Sequence, residues 1–194
     1  MSKERIQKVL AQNGFSSRRK IESLISEGRV FVNDKPAKLG DKISIDEKIF
    51  IDGKEVKIAQ QISSELILYN KPVGEECTHG SSKKTVFDGL PKPKSGKWIS
   101  IGRLDINTSG LLLITNDGQL ANDIIHPSKE IEREYIVRVR GKPSDSSLKK
   151  LISGVVIDKQ EISFTDLVKG KETSSHTWFA LVILSGENRS VRKL

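Results

Sequence analysis

Gly102-Arg103-Leu104-Asp105-Ile106-Asn107-Thr108-Ser109-Gly110-Leu111-Leu112-Leu113 places one carboxylate in a polar turn bounded by glycines, directly before a very apolar run. The run predicts a buried strand over Leu111 to Thr115, and the turn would hold the acid rigidly at a sheet edge within reach of a substrate. An Asp in such a turn is more often a local cap or turn residue than a catalytic group, and these residues alone leave both roles open.

Upstream of this stretch, Leu66 to Tyr69 is a second buried-strand candidate. Gly80 to Lys97 is rich in Lys, Ser, Pro and Gly and reads as a loop with a short helix near Val86 to Leu90. Lys83, Lys84, Lys92, Lys94 and Lys97 make it a mobile basic loop suited to RNA backbone, or simply a solvated one. Downstream, Gln119 to Ile125 and Ser144 to Ser153 read as helices, and Tyr135 to Arg140 and Trp178 to Leu184 as strands. Strands and helices mix without regular βαβ alternation, which predicts an α+β domain with a mainly antiparallel sheet.

Toward the N-terminus the pattern changes. Ile6, Val9 and Leu10 have helical spacing, stopped by Asn13-Gly14. Ser16 or Ser17 can cap a second helix with Ile21, Leu24 and Ile25 on one face, ended by Gly28. Val30 to Val32, the Asn33-Asp34 turn and a return through Ala37 predict a hairpin. Short strands follow near Ile43 to Ile45 and Lys48 to Ile51, with a turn at Asp52-Gly53. The pattern loosens over Ile58 to Ser64, giving a domain over 1–60 and a larger one over 65–194.

The 194-residue chain carries a net charge of +8, and its first 42 residues hold ten Lys or Arg against five Asp or Glu. Such a basic chain suits a polyanionic partner. Arg18, Arg19 and Lys20 open the second helix, where cations oppose the helix dipole; a phosphate docked there would reverse the sign of that effect. The single cysteine, Cys77, excludes an internal disulfide and a multi-cysteine zinc site. His79, His126 and His176 are scattered and read as structural. Gly96-Lys97 lacks phosphate-loop spacing, with Trp98 where Ser or Thr is needed. No run reaches the length of a membrane span, and Met1-Ser2-Lys3-Glu4 enters an amphipathic pattern with no signal-peptide region. The expected setting is cytoplasmic, with no metal and no cofactor.

Two sets of motifs resemble known families. Arg5-Ile6-Gln7-Lys8-Val9-Leu10, Gly14, Ser17-Arg18-Arg19-Lys20, Ile25, Gly28-Arg29-Val30 and the Val32-Asn33 turn resemble the S4 RNA-binding domain. That resemblance implies that Arg18, Arg19, Lys20 and Arg29 face RNA phosphates. The stretch around Asp105 is similar to the active-site motif of the bacterial ribosomal pseudouridine synthases that carry an N-terminal S4 domain. Tyr69-Asn70-Lys71-Pro72-Val73-Gly74 looks like that family's first motif, and Thr115-Asn116-Asp117-Gly118 with His126-Pro127 extends the aspartate motif. Glu132-Arg133-Glu134-Tyr135 and Gly186-Glu187-Asn188-Arg189-Ser190-Val191-Arg192 resemble the segments carrying the active-site tyrosine and a basic partner of the aspartate.

The resemblance implies Asp105, Tyr135 and Arg192 as catalytic residues and Arg103 and Lys71 as further RNA contacts, with Arg103 bracing the space a flipped base vacates. The stretch from His126 to Tyr135 is most like the large-subunit enzymes, so 23S rRNA is the expected partner and a monomer the expected state. A 16S rRNA target and a non-catalytic rRNA-binding protein on the same scaffold are the alternatives. Glu187 and Ser190 stand where the family carries a basic residue and a glutamine. Family members also continue beyond the position of Leu194, which implies a catalytic domain incomplete at its C-terminus.

Overall fold

The computed structural model describes residues 3–59, 63–157, 159–184 and 190–193. They form two compact units, Met1–Asn122 and Asp123–Leu194. This partition differs from the linker expected over 58–64, part of which lies outside the described residues.

The first unit opens with β1 (Glu4–Arg5), α1 (Ile6–Gln12) and α2 (Arg18–Ser26). The Ser17 hydroxyl caps α2 by accepting from the Lys20 amide at 3.2 Å. Next come β2 (Val30–Val32), β3 (Lys35–Pro36), β4 (Lys42–Ile43), β5 (Ile49–Ile51) and β6 (Lys54–Val56). Strand β4 pairs with β1, and the others form an antiparallel sheet in the order β3-β2-β5-β6. The helical spacing read from the sequence works as expected, because Ile6 and Leu10 of α1 and Ile21, Leu24 and Ile25 of α2 share one core with Val30, Ala37, Ile43 and Ile49.

Three strands follow in the same unit: β7 (Leu66–Lys71), β8 (Ile99–Ile101) and β9 (Gly110–Thr115), antiparallel in the order β7-β9-β8. Leu112 and Ile114 of β9 meet Ile67 and Tyr69 of β7, with Val86, Phe87, Leu90 and Trp98 of the long loop packed over them. The short helix expected near Val86 to Leu90 is instead a run of turns. The Asp88 carboxylate accepts from the Thr85 amide at 2.7 Å and from its hydroxyl at 2.8 Å, closing a local turn that competes with helix. Nor is this loop loosely held. His79 stacks on Phe87 at 3.8 Å and bonds the Trp98 carbonyl, while the Trp98 indole donates to the Pro91 carbonyl at 2.6 Å.

Helix α3 (Gly118–Ile125), capped by the Asp117 carboxylate, leads into the second unit. There β10 (Arg133–Arg140), α4 (Asp145–Ser153), β11 (Val155–Ile157), β12 (Gln160–Ile162), β13 (Asp166–Glu172), β14 (His176–Ile183) and α5 (Ser190–Lys193) follow. The main sheet is antiparallel in the order β10-β14-β13, and β11 pairs with β12 as a hairpin. Phe164, Leu181 and Ile183 form its core, with Tyr135, Val137, Leu151, Leu167 and Val191 packed against them. The expected class, α+β with antiparallel sheets, describes both units.

Candidate active site

Asp105 sits in the connection between β8 and β9, and the backbone around it is fixed at nearly every residue. Gly102 adopts φ +82°, a left-handed conformation that side chains disfavour, and so starts the turn. Leu104 is packed into the β7-β9 core, and its carbonyl accepts from the Cys77 thiol at 3.4 Å. The Asp105 carbonyl accepts from the Thr108 amide at 2.9 Å, and the Ile106 carbonyl from the Gly74 amide at 2.7 Å. These bonds tie the acid-bearing turn to the Lys71–Gly74 segment leaving β7. The Asp105 side chain is half-buried and Arg103 is exposed.

Lys71 was expected to face RNA, and the structure corrects this. Its side chain is fully buried. The ammonium donates to the carbonyls of Pro72 at 2.9 Å, Asp105 at 3.1 Å and Thr108 at 2.8 Å. All three of its donors are thereby spent on backbone carbonyls, two of them in the loop that carries Asp105. Beside it lies a buried carboxylate that sequence reading missed. Glu75 accepts from the Tyr69 hydroxyl at 2.5 Å and pairs with Lys84 at 2.8 Å. Its carboxyl is held below the usual range by the Lys84 and Tyr69 hydrogen bonds, with the Lys71 charge contributing. The same bond, together with burial, pushes the Tyr69 phenol up to about 12.

Tyr135, Arg133 and Arg192 belong to the second unit. Tyr135 pairs with Leu181 across β10 and β14 and is half-buried against the core. Burial raises its phenol above the ordinary tyrosine value. Arg192 lies exposed on α5, whose Val191 packs on the core cluster that includes Tyr135. The preceding motif residues Gly186 to Arg189 fall outside the described residues.

Arg133 donates to the carbonyls of Ile124, Ile125, Ile131 and Leu184, at 2.9 to 3.4 Å. One guanidinium thus caps the C-terminus of α3 and ties it to the end of β14. Its strand parity with Tyr135 was the available signal.

Among the expected RNA contacts, Arg18, Arg19 and Lys20 are exposed at the start of α2. Arg29 is exposed but committed: it bonds both Asp52 carboxylate oxygens, at 2.6 and 2.7 Å, and Glu27 at 2.9 Å. Among the described residues, no group of His, Cys, Asp and Glu could hold a metal ion, and no helix is long and apolar enough to cross a membrane.

Residues 65–194 match the RNA pseudouridylate synthase family, and residues 4–49 match the S4 domain. The ribosomal large subunit pseudouridine synthase B of Pseudomonas aeruginosa is 44% identical over 197 residues, covering 98% of this chain and 51% of that protein. The Vibrio vulnificus protein of the same name is 46% identical, with coverage of 98% and 61%. That of Escherichia coli O6:H1 is 46% identical, with coverage of 98% and 68%. The chain therefore spans about half to two thirds of the length of these curated relatives. A crystal structure of a pseudouridylate synthase, 24% identical, shares the fold with a TM-score of 0.60 over 96% of this chain and 80% of that one.

Proposed function

Because the chain belongs to the RNA pseudouridylate synthase family, we propose that it isomerises a specific uridine of ribosomal RNA to pseudouridine, with 23S rRNA as the target. The RNA-binding part is assigned to 1–60 and the catalytic part to 65–194. The carrying observation is the cage of hydrogen bonds that fixes Asp105, since a reactive carboxylate needs a rigid mount.

The reaction breaks the C1′–N1 glycosidic bond, turns the uracil and closes a C1′–C5 bond, after which C5 loses its proton and N1 gains one. Atoms and electrons balance within the nucleotide, so no co-substrate is required. Asp105 acts on the ribose, either attacking C1′ or removing a ribose proton. The departing uracil spreads its charge over the carbonyl oxygens, so a second carboxylate acting as strong acid is not needed. Arg192 is assigned as ion-pair partner of Asp105, holding it ionised. Tyr135 is assigned to stack on the extracted base, its protonated hydroxyl relaying the C5 proton. Arg103 braces the vacated stack. Such an enzyme works in the cytoplasm, as a monomer.

The test is a single-turnover incubation with large-subunit rRNA tritiated at uridine C5. Tritium release that disappears in Asp105→Ala establishes the isomerase. Absent release with tight RNA binding favours a non-catalytic rRNA-binding protein.

A further inference from the structure

We propose that the start of α2 and the loop from Pro91 to Trp98 form one continuous phosphate-binding surface, on which a helical segment of the substrate RNA rests. This rests on the reading of the chain as an rRNA-modifying enzyme and adds to it a second basic element outside the S4-like helices.

The first observation is a close backbone seam. Gly96, at φ +70°, lies so near the end of α1 that a methyl group added to it would stand 2.5 Å from the Gln12 carbonyl oxygen. One added to Gly14 would stand 3.0 Å from the Gly96 carbonyl oxygen. Two glycines thus let the helix pair and the loop meet backbone to backbone.

The second is that the loop is pinned at this seam. The buried Asn116 amide donates to the carbonyls of Ser95 at 3.1 Å and Ser63 at 2.9 Å, and its oxygen accepts from the Glu65 amide at 2.8 Å. The Glu65 carboxylate in turn accepts from the Lys94 amide at 2.7 Å.

The third is charge. Lys92, Lys94 and Lys97 on the loop and Arg18, Arg19 and Lys20 on α2 are all exposed, and none forms an ion pair among the described residues. By contrast, Lys83 pairs with Glu76, Lys84 with Glu75 and Arg29 with Asp52. The Arg18 guanidinium reaches across the seam: a methyl group on Gly118 would stand 3.9 Å from it and 3.7 Å from Ile99, two residues beyond Lys97. The neighbouring acids Glu65 and Asp117 are engaged with the loop backbone and the α3 cap. Unpaired cations on a pinned backbone suit the regular phosphates of an RNA helix, whose binding releases counterions.

The test measures binding of deproteinised large-subunit rRNA against salt concentration. Lys92→Ala with Lys94→Ala and Lys97→Ala should lower the magnitude of the log–log salt slope by about 2, at roughly 0.7–0.9 per lost phosphate contact. The charge-matched variant Lys142→Ala with Lys149→Ala and Lys150→Ala should leave the slope at the wild-type value. If the loop variant matches wild type while Arg18→Ala with Arg19→Ala loses slope, RNA touches the helix pair alone and the shared surface is wrong. Equal slope losses in the loop variant and its control overturn the proposal too, because only bulk charge is then being read. Failure of the underlying enzyme reading shows separately, as absent C5 tritium release by the wild-type protein.

Discussion

The Lys71 ammonium lies 3.1 Å from the backbone carbonyl oxygen of Asp105, so the first motif of the chain holds the catalytic candidate through its main chain. Lys71→Met keeps the volume but leaves the Pro72, Asp105 and Thr108 carbonyls without that donor. A buried carbonyl left unsatisfied costs about 1–3 kcal/mol, but the Asp105 carbonyl keeps the Thr108 amide and Pro72 is exposed to water, so a loss of roughly 1–3 kcal/mol is expected. Urea unfolding measures it; a loss below about 1 kcal/mol would show that water replaces the ammonium without cost.

The burial of Lys71 was available in the sequence as parity. In a strand, alternate residues share a face, and Ile67, Tyr69 and Lys71 are in phase. A lysine in phase with two core residues must either snorkel out or find acceptors, and only the fold reveals that carbonyls of a turn 34 residues away supply them. Similar limits apply elsewhere. The helix pair and hairpin of the first unit were legible because their apolar residues repeat at 3.6 or 2. Strand β13, Asp-Leu-Val-Lys-Gly-Lys-Glu, was missed because an edge strand with one apolar pair carries no alternation. The motifs nominated Asp105, Tyr135 and Arg192 for the proposed chemistry, whereas the structural roles of Asn116 and Arg133, whose partners include carbonyls 51 to 53 residues away, and of Glu75, whose burial no alternation signals, were not readable.

The Tyr69–Glu75–Lys84 cluster makes stability depend on pH at both extremes. The folded Glu75 carboxyl is depressed, so its contribution is complete above the unfolded value near 4.5 and is lost as pH falls below it. The folded Tyr69 phenol is raised to about 12, so its contribution is complete below about 10 and is lost as pH rises toward 12. Urea midpoints measured against pH should show a steeper alkaline decline in wild type than in Tyr69→Phe. Parallel alkaline limbs would remove Tyr69 from the account.

Arg29 separates a structural cation from an RNA-facing one. Its guanidinium already satisfies Asp52 and Glu27, so recruiting it to a phosphate would first require breaking those bonds. Arg29→Ala should therefore keep rRNA affinity within about twofold and leave the salt slope unchanged, whereas Arg18→Ala with Arg19→Ala lowers both. A slope reduced by about one unit in Arg29→Ala would show that the pairs exchange for phosphate.

Tyr135→Phe isolates the hydroxyl from the ring. The ring belongs to the core beside Leu181, so its retention should leave the unfolding midpoint unchanged. A tyrosine phenol is protonated at neutral pH, and burial raises this one further, so the protonated hydroxyl is the form available to the reaction. Removing it should slow single-turnover tritium release by about 10²–10⁴-fold at saturating RNA, the usual range for a lost proton-transfer group. RNA affinity should stay near wild type, because stacking needs only the ring. A wild-type rate in Tyr135→Phe would leave the tyrosine a stacking surface and move the C5 proton to another acceptor.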